Sequence, residues 1–420
     1  MANYIFENVD TVKLAKEYST PLYVVSENHI IDRINEIKND FLIKYNNVWA
    51  VYASKAFLNK EMARIVNREG IGMDVVSGGE LYTAINTGFS MENIIFHGNG
   101  KTYDELLLAV ENNVGRIIVD NLHELRMLNE IAKLNNKKIN ILFRITPGVS
   151  IDTHKYIQTG QVDSKFGIPL VEGVIYEAIG KALSCENINL LGFHFHVGSQ
   201  LHDNKSHLDS IEVAVKIIKE AKSRFNYETK ELNVGGGFGI KYKDSEERKP
   251  ISFFMDPVME NIERLFRENN LNQPKIIIEP GRWIVGEAGI TLYTVGSIKE
   301  IPGIRTYVSI DGGMTDNIRP SLYDAKYEAI VCNKYKKENT DKYTIAGKCC
   351  ESGDILIWDF ESPKLESGDI LAVLSTGAYN YSMASNYNRI PKPPVVMIKD
   401  GVPRLIVKRE SYDDVLRNDI

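Results

Sequence analysis

The sequence predicts two folds in one chain of 420 residues: an N-terminal α/β domain built as a (β/α)8 TIM-like barrel, and a C-terminal all-β domain of the β-sandwich or β-barrel kind. Short apolar runs alternate with longer helical patterns from about residue 47 to residue 280, as in βα-repeat proteins. Beyond residue 286, strand-like runs follow one another with turn signals between them. Because a chain of this length exceeds one ordinary hydrophobic core, two domains are expected.

Eight short apolar runs predict the strands of the barrel. Stretches of helical length separate them, and Asn121–Asn136, for example, carries Leu122, Leu125, Leu128 and Ile131 on one face. Eight β–α repeats over about 235 residues are typical of a closed parallel barrel, although an open doubly wound sheet would give the same pattern. The predicted strands are Val48–Ser54, Gly72–Val76, Asn93–Phe96, Arg116–Val119, Asn140–Ile145, Leu190–His196, Glu231–Val234 and Lys275–Glu279.

A second set of strand-like runs, without long helical patterns between them, predicts the β-rich domain. The early run Pro21–Ser26 precedes the first barrel strand and is assigned to the same domain. We therefore predict a barrel over residues 28–285, and a β-rich domain formed by residues 1–27 together with 286–420. The later predicted strands are Ile290–Val295, Arg305–Ile310, Tyr327–Cys332, Lys342–Ala346, Asp354–Asp359, Asp369–Ser375, Pro394–Lys399 and Pro403–Lys408.

Composition excludes several classes of protein. The net charge of −6 gives no electrostatic footprint for nucleic acid, and no apolar stretch is long enough to span a bilayer. The first residues lack the basic and apolar blocks of a signal peptide. The four cysteines, Cys185, Cys332, Cys349 and Cys350, are too few for a disulfide scaffold and lack zinc-binding spacing. We expect a cytoplasmic protein with no nucleic acid or membrane partner.

Most of the unusual residue clusters before residue 286 follow the C-terminal end of a predicted strand. That rim is where barrel enzymes place their active sites. Each cluster is a modest signal, but their common position indicates one site. The clusters are Lys55, Asp74–Gly79, His97–Lys101, Arg144, His194–Ser199, Gly235–Gly239 and Glu279–Arg282.

Three of these clusters suggest one chemistry. Lys55 places an amine at the end of a buried strand, where an unused cation costs stability. The glycines Gly235–Gly239 let backbone N–H groups approach an anion, although a plain tight turn has the same composition. Glu279 ends an apolar strand and needs a positive partner, which could be Arg282 or a protonated pyridine nitrogen. A lysine, an anion cradle and a buried carboxylate together describe a pyridoxal 5′-phosphate site.

The histidines of the rim suggest a competing chemistry. Strand alternation puts His194 and His196 on one face, where they could bind a metal or fill the barrel. With His97 they could form the site of a zinc-dependent hydrolase. Ser199 and the glycines favour a phosphate ligand instead, so we expect no metal.

Several motifs make a family resemblance specific, and it runs over nearly the whole chain. The motifs around Lys55, His196 and Glu279, with the glycine run, resemble the fold-type III pyridoxal-phosphate decarboxylases. The other motifs, among them Cys350–Asp354, resemble the diaminopimelate decarboxylases in particular. Ornithine decarboxylases of this fold typically carry Cys-Asp where this chain has Cys350-Glu351. The motifs are Tyr52–Ala56, His154–Gly160, Ser164–Gly167, His194–Ser199, Gly235–Gly239, Glu279–Arg282, Asp311–Asp324, Cys350–Asp354 and Gly377–Asn388.

The resemblance implies a role for each motif residue. Lys55 would hold the cofactor as an imine, His196 would stack on its ring, and Cys350 would donate a proton after carbon dioxide leaves. The remaining cofactor-binding residues would be Ser199, Gly237, Glu279, Pro280, Gly281, Arg282 and Tyr379. The substrate-binding residues would be Arg282, Arg319, Tyr323, Glu351 and Tyr379.

The resemblance also implies a reaction and an assembly. The reaction is the decarboxylation of meso-2,6-diaminopimelate to L-lysine and carbon dioxide, the final step of lysine biosynthesis. The assembly is a homodimer in which each site is completed by Cys350 and Glu351 of the other chain. Three alternatives stay open: a related ornithine- or arginine-type decarboxylase, the zinc hydrolase, and a non-catalytic relative, which should have lost Lys55 or Cys350.

Overall fold

A computed structural model describes residues 3–148 and 164–420 of the chain. Contacts divide the chain into two compact units. The barrel unit consists of Ile34–Gly239 and Lys249–Trp283, and the β unit consists of Met1–Arg33, Ile240–Arg248 and Ile284–Ile420. The motif His154–Gly160 lies outside the described residues.

The strands, numbered along the chain, come in short and long forms. They are β1 Ile5–Phe6, β2 Val9–Asp10, β3 Leu22–Ser26, β4 Val48–Ala53, β5 Gly72–Val75, β6 Ile94–Phe96, β7 Arg116–Val119, β8 Ile139–Arg144, β9 Ile188–His194, β10 Glu231–Asn233, β11 Lys275–Ile278, β12 Gly289–Ile301, β13 Arg305–Ile310, β14 Ala329–Val331, β15 Asp341–Ala346, β16 Ile355–Ser362, β17 Ile370–Val373, β18 Val395–Lys399 and β19 Val402–Val407.

The α-helices are numbered in the same way. They are α1 Thr11–Tyr18, α2 Glu27–Ile37, α3 Lys60–Arg68, α4 Gly78–Asn86, α5 Tyr103–Glu111, α6 Leu122–Leu134, α7 Val174–Ser184, α8 Lys205–Phe225, α9 Ile251–Glu268, α10 Arg282–Val285, α11 Arg319–Tyr323 and α12 Tyr412–Leu416. No helix among the described residues is long and apolar enough to cross a membrane.

Strands β4 to β11 form a closed parallel barrel in sequence order, with β11 pairing back to β4. Each of the eight predicted barrel runs contains or overlaps one of these strands, so the barrel prediction is confirmed and the open sheet is excluded. Closure brings the carboxyl ends of all eight strands to one rim. The rim position of the sequence clusters is therefore a property of the fold.

The helices between the barrel strands begin at local signals in the sequence. At α6 the side chain of Asn121 accepts a hydrogen bond from the Glu124 backbone N–H at 2.9 Å, which caps the helix. The apolar face of the helix, with Leu125, Leu128 and Ile131, is buried. Helix α3 begins in the same way: the Asn59 side chain accepts a hydrogen bond from the Met62 N–H, and the apolar face of the helix is buried.

The barrel core is apolar. Six buried side chains from six different barrel strands form one cluster: Val51, Ile95, Ile118, Leu142, Leu191 and Ile277. Trp49 packs against this cluster, and the guanidinium of Arg116 lies 4.7 Å from its ring centre. Arg116 also makes paired hydrogen bonds of 2.8 and 2.7 Å to Glu231, so its charge is balanced at the strand starts.

The β unit is organised on the long strand β12. This strand pairs with β3, β17 and β13 along its length, and its register shifts between Val295 and Ile298. The main sheet has the order β16-β15-β13-β12-β3-β18-β19, with β17 and β14 branching from β12. Each of the eight later runs overlaps a strand, and the early run Pro21–Ser26 contains β3 of this sheet. The fold class is confirmed in both of its parts.

Candidate active site

Lys55 lies in the middle of a single 3-10 turn, Ser54–Ala56, that follows β4. Its neighbour Ser54 is anchored twice: the Ser54 N–H donates to Asp74 Oδ1 at 2.8 Å, and its hydroxyl donates to Glu80 Oε2 at 3.1 Å. Ser54 is buried, whereas Lys55 is exposed. The turn therefore holds the backbone in place and leaves the lysine amine accessible.

The other rim lysine is in a different state. The Lys101 ammonium is 1% exposed and lies 2.8 Å from Glu124 Oε1. It also donates to the backbone carbonyls of Gly98 at 2.5 Å and Ile118 at 2.9 Å. A buried and fully bonded ammonium is a poor nucleophile, because it would have to lose a proton and its partners together.

Glu279 is buried directly after β11 and is surrounded by nitrogen atoms. Asn233 Nδ2 donates to its Oε1 at 2.6 Å, and His97 Nε2 lies 2.8 Å from the same oxygen. His194 Nε2 lies 3.2 Å from Oε2. Burial opposes ionisation of Glu279, but these neighbours outweigh it, and the pKa of Glu279 lies well below its usual range.

The two histidines beside Glu279 are buried and pack edge to face, with ring centres 4.8 Å apart. Burial lowers the pKa of His194 to about 4, and burial likewise lowers the pKa of His97. Both imidazoles are therefore neutral near neutral pH. Since Glu279 is ionised, the His194 Nε2 that is hydrogen-bonded to it carries the hydrogen. The His97 Nε2 lies close to Oε1 without the geometry of a hydrogen bond.

His196 has a separate position. Its Nδ1 accepts a 3.4 Å hydrogen bond from the Gly236 N–H. Burial, and then the charge of Lys55, hold the pKa of His196 well below its usual value. His196 is not in the cluster of ligand-type atoms that His97, His194 and Glu279 form among the described residues. Of the three histidines of the zinc alternative, His97 and His194 thus lie together with Glu279, and His196 is not part of that group.

The glycine run after β10 is packed against neighbouring backbone. Gly235 and Gly237 have φ of +71° and +98°, which favours glycine. A Cβ on Gly236 would lie 2.0 Å from the Glu279 carbonyl oxygen, and a Cβ on Gly237 would lie 2.3 Å from the Gly198 carbonyl oxygen. No other residue type fits these two positions without moving the backbone.

The Glu279–Arg282 segment lies against the strand that carries Lys55. The Ala53 N–H donates to the Pro280 carbonyl at 3.1 Å, and a Cβ on Gly281 would lie 2.8 Å from the Ala53 Cβ. Arg282 is buried, and its Nη2 donates to the Ser199 hydroxyl at 2.9 Å. The barrel unit thus brings its predicted site residues together on one rim.

In the β unit, Arg319 is the first residue of α11 and is buried. Its Nε donates to the Tyr327 hydroxyl at 2.9 Å. Its guanidinium carbon lies 5.4 Å from the ring centre of Tyr323 and 5.5 Å from that of Tyr379. Aromatic rings surround this cation, and no carboxylate within the part of the chain that the structure describes forms an ion pair with it.

Cys350 and Glu351 lie in a tight turn of the β unit between β15 and β16. Both residues are exposed. The Cys350 N–H donates to Asn388 Oδ1 at 2.8 Å, and the Tyr387 hydroxyl donates to Glu351 Oε1 at 2.6 Å. Their neighbour Cys349 is buried, and burial raises the pKa of its thiol to about 11. The two adjacent thiols therefore have different environments.

Asp354 organises this turn. Its carboxylate accepts the N–H groups of Cys349 at 2.8 Å and Met314 at 2.7 Å. A Cβ on Gly313 or Gly347 would lie 2.4 or 2.2 Å from the same carboxylate. The Ser321 hydroxyl donates to the Gly353 carbonyl at 2.7 Å, which ties α11 to the turn. One hydrogen bond thus joins the helix of Arg319 and Tyr323 to the turn that carries Cys350 and Glu351.

Three residues of this arrangement were given no role in the sequence analysis, although Asp74 belongs to one of the rim clusters. Asn233 is bonded to Glu279, Asp74 anchors the Lys55 turn, and Tyr327 is bonded to Arg319. Asp74 and Asn233 stand at the ends of predicted strands, so a rule that examines every polar rim residue would find both. Tyr327 has no such signal in the sequence.

Comparisons with known proteins identify the family. Residues 27–286 match the profile described as "Pyridoxal-dependent decarboxylase, pyridoxal binding domain". The diaminopimelate decarboxylase of Bacillus subtilis (strain 168) is 47% identical over 412 residues, which cover 98% of this chain and 94% of that protein. The chain belongs to the diaminopimelate decarboxylase family.

Other members of this family agree over similar lengths. The Bacillus methanolicus diaminopimelate decarboxylase is 48% identical over 402 residues, covering 96% of this chain and 93% of that protein. The crystal structure of the M. jannaschii diaminopimelate decarboxylase in complex with L-lysine is similar with a TM-score of 0.93. That chain is 35% identical, and the match covers 100% of this chain and 96% of that one.

Family membership confirms the predicted enzyme class and cofactor. The chain is a pyridoxal-phosphate-dependent carboxy-lyase, and the predicted function, decarboxylation of meso-2,6-diaminopimelate to L-lysine in lysine biosynthesis, is confirmed. The family is a pyridoxal-dependent one.

The barrel unit fits pyridoxal phosphate on three observations. The Lys55 amine is accessible on an anchored turn. The glycine run brings backbone so close that a Cβ cannot be added, and the Gly237 N–H has no protein acceptor among the described residues. Glu279 offers an ionised carboxylate in a buried place. An aldehyde, a phosphate and a pyridinium nitrogen match these three features.

Proposed function

We propose that Lys55 holds pyridoxal phosphate covalently and that the rim of the barrel unit binds the rest of the cofactor. Lys55 is supported by its accessible amine, whereas Lys101 is buried in an ion pair. The further cofactor-binding residues of the proposal are His196, Ser199, Gly237, Glu279, Pro280, Gly281, Arg282 and Tyr379.

Each residue around the cofactor has a different role in this proposal. When bound, the cofactor withdraws the electron pair left at the substrate Cα after carbon dioxide departs. Glu279, as an ionised carboxylate, keeps a proton on the pyridine nitrogen. His196 is neutral and offers a flat, uncharged face for stacking. Backbone N–H groups beside Gly237, with the Ser199 hydroxyl, would donate to phosphate oxygens.

The single observation that best supports the substrate is the state of Arg319. A buried guanidinium is costly without an anion, and among the described residues no carboxylate pairs with it. The distal carboxylate of diaminopimelate would supply that anion through paired hydrogen bonds. Tyr323 and Tyr379 border the same cation, Arg282 supplies a second guanidinium, and Glu351 would accept the distal ammonium.

Cys350 is proposed as the proton donor to Cα. Its thiol is exposed, whereas the adjacent Cys349 thiol is buried beside Thr315. Only an accessible thiol can deliver a proton to a bound substrate and be reprotonated by water. The position of Cys350 in its turn depends on the hydrogen bond to Asn388.

We propose a homodimer in which each chain lends Cys350 and Glu351 to the barrel of the other. The support is the family resemblance of the motifs, together with the location of Lys55 and Cys350 in different compact units. We also propose a cytoplasmic enzyme, because a proton-donating thiol requires a reducing compartment and all four cysteines are free.

Substrate preference tests this proposal. Carbon dioxide release by the purified holoenzyme should be far faster from meso-diaminopimelate than from ornithine, arginine or lysine. Arg319→Met should lower kcat/KM for meso-diaminopimelate by roughly 100-fold, because a charged hydrogen bond to the distal carboxylate is lost. Tyr387→Phe, which removes the hydrogen bond to Glu351, is the matched milder change. Comparable wild-type turnover of ornithine would move the enzyme to the neighbouring decarboxylases.

A further inference from the structure

The surroundings of Glu279 contain two buried histidines that the proposed function does not use. Cofactor chemistry requires only the carboxylate beside the pyridine nitrogen. Yet three neutral side chains from three separate strand ends converge on it: His97 after β6, His194 at the end of β9 and Asn233 at the end of β10. Such convergence in a closed barrel has a cost in buried polar groups, which indicates a role.

We propose that His194, a neutral hydrogen-bond donor, and His97, which packs against it and approaches the other carboxylate oxygen, are positioning residues that keep Glu279 a carboxylate, so that the ring proton stays on the cofactor nitrogen. The inference rests on the proposed function of Glu279 and deepens it. The His97 Nε2 lies 2.8 Å from Oε1, and the His194 Nε2 lies 3.2 Å from Oε2. The two histidines therefore approach different oxygens of the carboxylate.

The neutrality of these two histidines matters. A charged donor, such as an arginine, would partly neutralise the negative charge of Glu279 and weaken its attraction for a pyridinium proton. A neutral imidazole N–H stabilises the carboxylate and leaves its full charge for that proton. Without any donor, a buried glutamate would take up the proton itself, since burial favours the neutral acid.

The other charges around Glu279 favour neutral imidazoles. Arg144, at the end of β8, and Lys55, after β4, both lower the pKa of His97, in addition to its burial. The carboxyl group of Asp74, in β5, interacts electrostatically with Glu279. The histidines also stack edge to face, and two imidazolium charges at that separation would repel. Protonating either ring would therefore disturb the arrangement.

The first test uses the wild-type holoenzyme. Solid-state 15N NMR of protein labelled at histidine, loaded with 15N-labelled pyridoxal phosphate, reports the tautomers and the ring proton directly. We expect both rings to be neutral, with hydrogen on Nε2 of His194, and a protonated pyridine nitrogen. Charged rings, or hydrogen on Nδ1 of His194 instead, would overturn the proposal even if no variant folds.

The second test uses matched substitutions at the same positions. His97→Phe and His194→Phe keep a ring but remove the N–H, whereas His97→Gln and His194→Gln keep a neutral donor. In the phenylalanine variants the pyridine 15N signal should move toward the unprotonated position, and kcat should fall roughly tenfold or more with little change in KM. The glutamine variants should recover most of both.

The outcomes separate this inference from the function on which it rests. If the wild-type enzyme carries no cofactor on Lys55, the proposed function fails. If the wild-type enzyme is loaded and active, but the phenylalanine variants keep the wild-type pyridine signal and kcat, the histidines only fill space and the inference fails. Signal and kcat that change in the phenylalanine variants and recover in the glutamine variants support it.

Discussion

The barrel unit and the β unit position their site residues in different ways. In the barrel unit, Lys55, His194 and Glu279 each stand within two residues of the end of a parallel strand. In the β unit, Arg319, Cys350 and Tyr379 belong to loops and one-turn segments, and Tyr379 has a left-handed backbone with φ of 66°. A closed barrel gathers functional groups through its topology, whereas the β unit gathers them through individual hydrogen bonds.

The difference predicts how each unit responds to mutation. Substitutions at the barrel positions should remove activity and leave the fold intact, because the closed barrel fixes the backbone independently of these side chains. The site residues in the loops of the β unit should lose their positions, and activity with them, when a supporting hydrogen bond such as that from the Cys349 N–H to Asp354 is removed. We expect the largest loss of activity from substitutions at Lys55.

Replacement of Lys55 should have the largest effect. Lys55→Ala should lower kcat by roughly 10⁴-fold or more, since the covalent attachment point is lost. Lys55→Arg is the matched control that keeps the charge and should be equally inactive. After borohydride reduction of the wild-type holoenzyme, peptide mapping should find the pyridoxyl group on Lys55. Finding it on Lys101 or Lys165 would refute the assignment.

The two adjacent cysteines of the β unit form a natural pair. Cys350→Ala should lower kcat by roughly 100-fold, because the proton donor is lost. Cys349→Ala should change kcat by no more than about threefold, since its buried thiol has a raised pKa and donates to the Thr315 hydroxyl. Steady-state kinetics on both variants decides, and equal losses would show that the turn, not the Cys350 thiol, matters.

Two glycines of the barrel unit separate steric from conformational effects. Gly237 and Gly88 both have positive φ, +98° and +68°, but only Gly237 has backbone within 3 Å of an added Cβ. Gly237→Ala should weaken cofactor binding by roughly tenfold or more, whereas Gly88→Ala should cost only about 1 kcal/mol of stability. Fluorescence titration of the apoenzymes with pyridoxal phosphate measures the first effect. Equal cofactor affinity in both variants would argue against a cradle at Gly237.

Acid should destabilise the enzyme through its buried histidines. Burial lowers the pKa of His29, His194 and His207 to about 4, below their ordinary value, so the unfolded chain takes up protons first as pH falls. Their contribution is complete above about pH 6.5 and is lost toward about pH 4. His207→Gln should lower the slope of unfolding free energy against pH by roughly 1 kcal/mol per unit in that window. Urea unfolding at several pH values tests this, and an unchanged slope would contradict it.

The same contrast explains what could be predicted from the sequence. All eight barrel strands and the rim positions of Lys55, Glu279 and His194 followed from alternation and strand ends, because both depend on local pattern. The division of His97 and His194 from His196 did not follow, since it depends on which side chain reaches Glu279 across the barrel. In the β unit, Cys350 and Arg319 were found only by family resemblance, because the turn is held by hydrogen bonds between partners 40 and 32 residues apart, Met314 with Asp354 and Ser321 with Gly353.

The central claim is that cofactor residues of one chain and the Cys350 turn of a second chain form one site. Inactive Lys55→Ala and Cys350→Ala proteins, mixed after dissociation and reassociation, test it directly. A mixed dimer with shared sites has one site carrying both lesions and one carrying neither. With random pairing, about half of the dimers are mixed, so roughly a quarter of wild-type activity should return. No activity, in a sample whose mixed dimers are verified by mass, would contradict the shared site.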